Sequence, residues 1–248
     1  MWIDGGIHAR EWITPASVTW MMKELIENDA AHPDLTEKLD WYILPIMNPD
    51  GYAYTQSNDR LWRKTRSPNS LGICAGTDAN RNWGYQWNTG GSSDYGCSET
   101  YHGKEAFSEV ENRNVRDFVD ARKENIKFYN TIHSYSQLIL IPWGYTSTLA
   151  DEYEKLKAFA DKGNAALKAT HDKDYEVGCI PCLLYIASGG SMDWALGEAK
   201  IPYAFAMELR DTGRYGFILP AEQIIPTAEE TWAFHITSAR LIIEEFAQ

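Results

Sequence analysis

Nothing in this 248-residue sequence approaches the run of about 18 apolar residues that a membrane helix needs. Basic residues are few. The 23 Lys and Arg face 35 Asp and Glu, a net charge of −12. An acidic surface argues against nucleic acid or an anionic membrane as the main partner, and we expect neither. Cysteine is scarce at four residues, too few for a disulfide-dense scaffold. No second Cys-x-x-Cys accompanies Cys179-Ile180-Pro181-Cys182. That excludes a zinc knot built from two such pairs and leaves two ordinary thiols or a local disulfide. Internal repeats, low-complexity tracts and linkers are missing too. The first residues, Met1 to Gly6, lack the basic and long apolar segments of a secretory signal. What is present is ordinary globular usage, 44% hydrophobic and 23% charged. Ten tryptophans and fourteen tyrosines suit a large core with aromatic-lined clefts.

Short apolar runs alternate with amphipathic helical patterns, which argues an α/β fold: three layers, with a central mixed, mostly parallel sheet between helices. A single domain over residues 1–248 is expected. Trp2 to Gly5 reads as a strand ending at a glycine pair, and its position at the chain start predicts an N-terminally incomplete catalytic domain. Thr14-Pro15 reads as the N-cap and first residue of a helix running to about Asp29. Leu39 to Met47 reads as a buried strand stopped by Asn48-Pro49-Asp50-Gly51. A connection to about residue 107 follows. At that length it either hides a small element or shapes a binding site. Ser108 and Glu111 suggest a capping box for a helix to about Arg122. Strands are expected at Ile126–His133, Leu138–Ile141 and Tyr203–Leu209, and helices at 150–170 and from Pro226 onward. The last helix should bury Trp232, Ile236, Ala239, Ile243 and Phe246.

Three clusters carry chemistry. His8 and Glu11, spaced i and i+3 just past a strand end, can face one point, and His133 at another strand end is the best third ligand. Two imidazoles and a carboxylate leave a fourth position open, as in catalytic zinc sites. Alone, His-x-x-Glu is common and His133 reads equally as a strand-edge histidine. His32, His102, His171 and His235 read as surface or packing residues. The second cluster is Asp78-Ala79-Asn80-Arg81-Asn82-Trp83. Asp78 suits a carboxylate that accepts the second N–H of a ligand histidine. Asn80 and Arg81 suit a carboxylate receptor. Arg60, Arg63, Lys64 and Arg66 add positive charge to the same loop, which reads equally as a solvated segment. The third cluster runs from Glu208 to Tyr215. Glu208 ends an apolar strand, so a raised pKa and a general-base role fit it. The competing reading is a pair with Arg210. Tyr185 precedes Ser188-Gly189-Gly190-Ser191 and sits where a mobile loop could carry it.

The ordered stretches "GIHAREWITPA", "NPDGYAYT", "RLWRKTRS", "DANRNW", "CSETYHG", "IHSYSQL", "YIASGGSMDW" and "ELRDTGRYGF" together resemble the funnelin zinc metallocarboxypeptidases of the pancreatic carboxypeptidase A/B type. The resemblance runs from Trp2 to the final helix. It implies a carboxypeptidase-like fold whose N-terminal strands are missing here, and one Zn2+ per chain held by His8, Glu11 and His133. Arg63 resembles the residue that polarises the scissile carbonyl and stabilises the oxyanion. Glu208 resembles the general base that activates zinc-bound water. Asn80, Arg81 and Tyr185 resemble the binders of the substrate's terminal carboxylate, and Arg10 an outer subsite contact. Tyr135 and Phe217 are further substrate-binding positions by the same resemblance, and Asp78 stands behind a ligand histidine. Cys74 and Cys97 match the family's disulfide. The Cys179–Cys182 pair is not part of the family's common pattern.

The expectation is therefore a secreted, monomeric zinc exopeptidase that removes single C-terminal residues from peptides or proteins, with proteinaceous inhibitors as further partners. In the family the residue after Ser-Gly-Gly-Ser resembles the floor of the side-chain pocket. Here it is Met192, with Ile180 and Leu184 as apolar wall. This implies A-type preference for aromatic and large aliphatic residues, since an acid at that place goes with Lys or Arg. The competing functions are a zinc deacylase of small acyl-amino acids and a non-catalytic peptide-binding relative.

Overall fold

A computed structural model of the chain describes residues 1–68 and 72–247. Six strands form one sheet: β1 Trp2–Gly5, β2 Tyr42–Leu44, β3 Phe128–Ser134, β4 Leu138–Ile141, β5 Glu176–Cys179 and β6 Tyr203–Leu209. The helices are α1 Ile13–Glu27, α2 Pro33–Glu37, α3 Pro49–Ser57, α4 Val110–Asp120, α5 Tyr153–His171, α6 Ile180–Leu183, α7 Ser191–Gly197 and α8 Ile224–Phe246. The sheet order is β2-β1-β3-β6-β4-β5, parallel throughout except that β4 runs antiparallel to β6.

Alternation along the central strands sets the layers. Phe128 packs on Phe159 of α5, and Asn130 bonds His235 of α8. Their odd-numbered neighbours point the other way: Tyr129 stacks on Trp2, and Thr131 Oγ1 donates to Asp4. On β6, Phe205 packs on Phe159, whereas Glu208 sits beside His133 in the register. Helices α1, α5 and α8 cover one face, and α7 packs on β3 and β6. Central strands covered on both faces need continuous apolar sequence, and β3 is buried along its whole length.

Strands β1, β4 and β6 fall at the predicted residues. Other boundaries differ: β3 runs Phe128–Ser134 rather than 126–133, and α1 begins at Ile13 with Trp12, not Thr14, at its N-cap. The strand expected at 39–47 contracts to Tyr42–Leu44, because only those residues pair with β1 at the sheet's edge. Asn48-Pro49-Asp50-Gly51 starts a helix rather than a turn: Asn48 Oδ1 accepts the Gly51 N–H at 2.9 Å and Pro49 occupies the first turn. So the long connection does hide an element, α3, and a 3-10 turn at Ala79–Arg81. The Ser108–Glu111 capping box does not form. Glu109 is the N-cap residue of α4 without a side-chain bond, while Ser108 Oγ donates to Glu109, whose other oxygen takes the Thr65 hydroxyl. Helix α8 begins two residues before Pro226, and Phe246 at its end is exposed rather than buried.

The ends of β1, β3 and β6 lie on one edge of the sheet. Strand order reverses about β1, whose neighbours β2 and β3 follow it on opposite sides. Such a crevice, at the carboxyl ends of parallel strands, is where open α/β sheets bind ligands.

Candidate active site

Gly6, at φ +67°, turns the chain sharply off β1, so His8 and Glu11 project over the sheet edge toward His133, the penultimate residue of β3. All three are buried. His8 Nδ1 lies 2.8 Å from Glu11 Oε1 and 3.1 Å from His133 Nδ1. His133 Nδ1 is 3.2 Å from Glu11 Oε2. His8 Nε2 meets Asp78 Oδ1 at 3.0 Å. Donating its N–H there leaves the Nδ1 lone pair directed inward. Two ring nitrogens and a carboxylate converging at such distances need a proton or a metal cation among them. The donor set, two imidazoles and one carboxylate whose ligand atoms all lie within 4.8 Å of one another, matches what a catalytic zinc takes. Burial alone would push the Glu11 carboxyl up, but the two histidines hold it below the ordinary carboxylate range.

Positive charge is held behind this triad. Arg63 is buried and donates through Nη2 and Nε to Asp78 Oδ2 at 2.8 and 3.2 Å. Asp78 and Glu11 keep its guanidinium charged against the cost of burial. The Asp78 carboxyl in turn is held well below its usual range by Arg63 and His8, despite complete burial. Arg81 is fixed by the carbonyls of Gly91, at 3.1 Å, and Asn80, at 2.9 Å. Asn80 Oδ1 accepts the Ser191 N–H at 3.0 Å. Opposite stands Glu208, half-buried at the end of β6. Desolvation, with Glu11 nearby, pushes its carboxyl up to about 8. Arg210 is not its partner: that side chain turns to Glu230 of α8.

These residues line one cavity of about 270 Å³, together with Arg10, Tyr135, Tyr185, Met192 and Phe217. Every expected site residue except Asp78 and the two cysteines lines it, and Asp78 touches it through His8, Arg63 and Asn80. Arg10 stacks over Phe217 with its guanidinium carbon 4.3 Å from the ring centroid, and pairs with Glu99 at 3.2 Å. Phe217 meets Tyr135 edge to face at 4.9 Å. Cys74 and Cys97 are bonded, closing the loop below Arg63.

A model of the zinc carboxypeptidase family matches residues 1–234. The chain is 53% identical to the carboxypeptidase B of Astacus astacus, over 94% of this chain and 77% of that protein. It is 49% identical to the carboxypeptidase A1 of Bos taurus, over 94% of this chain and 56% of the relative. The chain belongs to the zinc carboxypeptidase family. Among solved structures, bovine thrombin-activatable fibrinolysis inhibitor in complex with tick carboxypeptidase inhibitor superposes on this carboxypeptidase with a TM-score of 0.94, at 40% identity, covering 99% of this chain and 82% of the other.

The carboxypeptidase's cavity also contains residues that sequence reasoning passed over. Leu140 and Ala206, paired across β4 and β6, form apolar wall, and Ala187 adds to it. Strand alternation from Glu208 would have found Ala206. Asp193 is a different case: one place after Met192, it is the acid that the sequence itself sets against an apolar pocket floor. It is buried, and its two oxygens accept N–H bonds from Gly144 and Tyr145 at 2.9 to 3.0 Å. Burial nonetheless pushes its carboxyl up to about 7. His102 and His235 are packing residues with polar partners, His32 is half-buried edge-on to Trp232, and His171 is exposed.

Proposed function

We propose that this zinc carboxypeptidase removes single residues from the C-termini of peptides, preferring aromatic and large aliphatic side chains. The observation that carries the reading is a carboxylate receptor, Arg81 and Asn80, in the same cavity as the His8–Glu11–His133 triad. A free C-terminal carboxylate pairs with Arg81. An internal peptide bond brings no such charge, which makes the site an exopeptidase. Tyr185 closes over the carboxylate from the mobile side. Zinc held by His8, Glu11 and His133 supplies a Lewis acid that polarises a carbonyl oxygen and makes water more acidic. Arg63, preorganised by Asp78, stabilises the developing oxyanion. Glu208 takes the proton of the attacking water and delivers it to the leaving amine nitrogen, a role suited to a carboxyl tuned upward by its surroundings. Arg10, Tyr135 and Phe217 contact the residues upstream of the scissile bond.

Identities of 53% to a protein named carboxypeptidase B and 49% to one named A1 differ too little to decide preference. The lining of the pocket supports the apolar preference. Met192 is uncharged, Ile180, Leu184 and Leu140 are apolar, and the acid nearby, Asp193, is already engaged by two backbone amides. A substrate ammonium buried against these groups would lack a partner, at a cost of several kcal/mol. An apolar side chain instead gains roughly 1.5–3 kcal/mol on burial. Two disulfides support an oxidising, extracytoplasmic environment. The monomeric state and recognition by proteinaceous inhibitors belong to the same proposal, as does a single catalytic domain.

The test is hydrolysis of matched peptides ending in Phe, Leu, Arg and Lys, with free and amidated C-termini. Free Phe and Leu termini should be cleaved fastest and amidated ones spared. Cleavage of amidated peptides at comparable rates overturns the exopeptidase reading, and faster release of Arg than Phe overturns the preference.

A further inference from the structure

Cys179 and Cys182 are joined, beside a stretch of pocket wall that, among the described residues, makes no backbone hydrogen bond to another element. Strand β5 is the sheet's edge and pairs only with β4, its last rung being Ile141 with Cys179. The chain is fixed to its surroundings again at residues 187 and 188, where Ala187 N–H reaches Gly144 C=O at 2.8 Å and Ser188 N–H reaches Gly90 C=O at 3.0 Å. Between these anchors run residues 180–186, and none of the seven is buried. Three of them, Ile180, Leu184 and Tyr185, line the substrate cavity. Helix α6 is a single turn, closed by Leu184 N–H to Ile180 C=O at 2.8 Å, and one exposed turn does not hold itself in water. Ile180 and Leu183 pack half-buried against the core, while Leu184, Tyr185 and Ile186 are exposed, so packing holds only one side of the segment. The bond ties it down: Cys179 is buried at the sheet edge, while Cys182 is exposed on the helix.

We propose that the Cys179–Cys182 bond is a positioning element of the substrate pocket. It fixes the Ile180–Leu184 wall over Met192 and confines the travel of Tyr185 to the three residues 184–186. Selection for a large apolar C-terminal side chain then depends on a covalent tether outside the cavity. This rests on the functional reading above, and the experiment separates the two.

The variant pair Cys179→Ser/Cys182→Ser is compared with Cys74→Ser/Cys97→Ser on matched peptides ending in Phe and in Ala. Loosening the wall should raise KM for the Phe peptide and leave kcat nearly unchanged, so that the Phe-to-Ala ratio of kcat/KM falls roughly tenfold. The Cys74/Cys97 variant should lower Tm and leave that ratio unaltered. An unchanged ratio in the Cys179/Cys182 variant overturns the inference while the functional reading stands. If the unmutated protein cleaves neither peptide, the functional reading fails, and amide hydrogen exchange over residues 180–186 becomes the readout. Faster exchange in the variant supports the tether, and equal protection overturns it. Should the double serine not fold, Cys179→Val/Cys182→Ser fills the buried half with an apolar group, and the same outcomes apply.

Discussion

The cavity has two unlike walls. One is built from the ends of β1, β3 and β6, where His8, Glu11 and His133 are buried and bonded to one another and to Asp78. The other is the span 180–186, exposed or at most half-buried, held by its ends, by Ile180 and Leu183 against the core, and by a disulfide. Proposed chemistry sits on the first wall and proposed selection on the second. The division follows from what each task tolerates. Proton transfer and oxyanion stabilisation fail on misplacements of about 1 Å, so their groups sit at a strand end, as Glu208 does, or are pinned by buried bonds, as Arg63 is by Asp78. Accepting side chains of several shapes requires a wall that yields, and such segments come from the weakly packed end of the stability range.

The largest expected effect is on the strand wall. His133→Ala should abolish zinc retention on dialysis, and with it peptide hydrolysis. Glu208→Ala should keep the metal yet lose about 10²–10⁴-fold in kcat. Full stoichiometric zinc in the first variant, or activity within about tenfold of the unmutated enzyme in the second, would break the division of labour. Next in size is the support behind that wall. His235 joins α8 to the back of β3 through Asn130, at 3.0 Å, and Nδ1–H donates to Thr231 C=O at 2.7 Å. Burial pushes its ring down to about 4. The folded protein therefore refuses a proton that the unfolded chain accepts. Stability from this group is intact above pH 6.5 and is lost as pH falls toward 4, by about 3 kcal/mol in all. Urea midpoints measured from pH 7 to 4 should fall less steeply in His235→Gln, and identical slopes would remove His235 from the account. The smallest effect is on the pocket floor between the walls: Met192→Asp should shift the Arg-to-Phe preference by roughly tenfold, a pocket contact of ordinary size. No shift in that ratio would show that the floor lies elsewhere.

The first wall was far more legible in the sequence than the second. Strands β1, β4 and β6 could be bounded to the residue, because doubly covered strands must be continuous apolar runs. Spacing and a strand end could offer His8, Glu11 and His133 as candidate ligands, and the family resemblance supplied the roles expected of their neighbours. Strand β5 was missed. Its sequence, Glu-Val-Gly-Cys, is short and partly exposed, and only β4 makes it a strand. Helix α3 was missed because Tyr-Ala-Tyr-Thr-Gln-Ser has no apolar stripe, and α7 because a glycine pair precedes it. The engagement of Asp193 by Gly144 and Tyr145 spans 49 and 48 residues, and no local pattern records such a contact. The same holds for Leu140 opposite Ala206.

The order of strands in the sheet also sets a schedule. His8 and His133 stand 125 residues apart in sequence, and β6 lies between β3 and β4, which both precede it along the chain. A ribosome must therefore release everything up to Leu209 before the sheet can close. The strand that completes it is the one that brings Glu208. On the proposed role of Glu208, the nascent chain holds no complete site until that last central strand has joined the sheet.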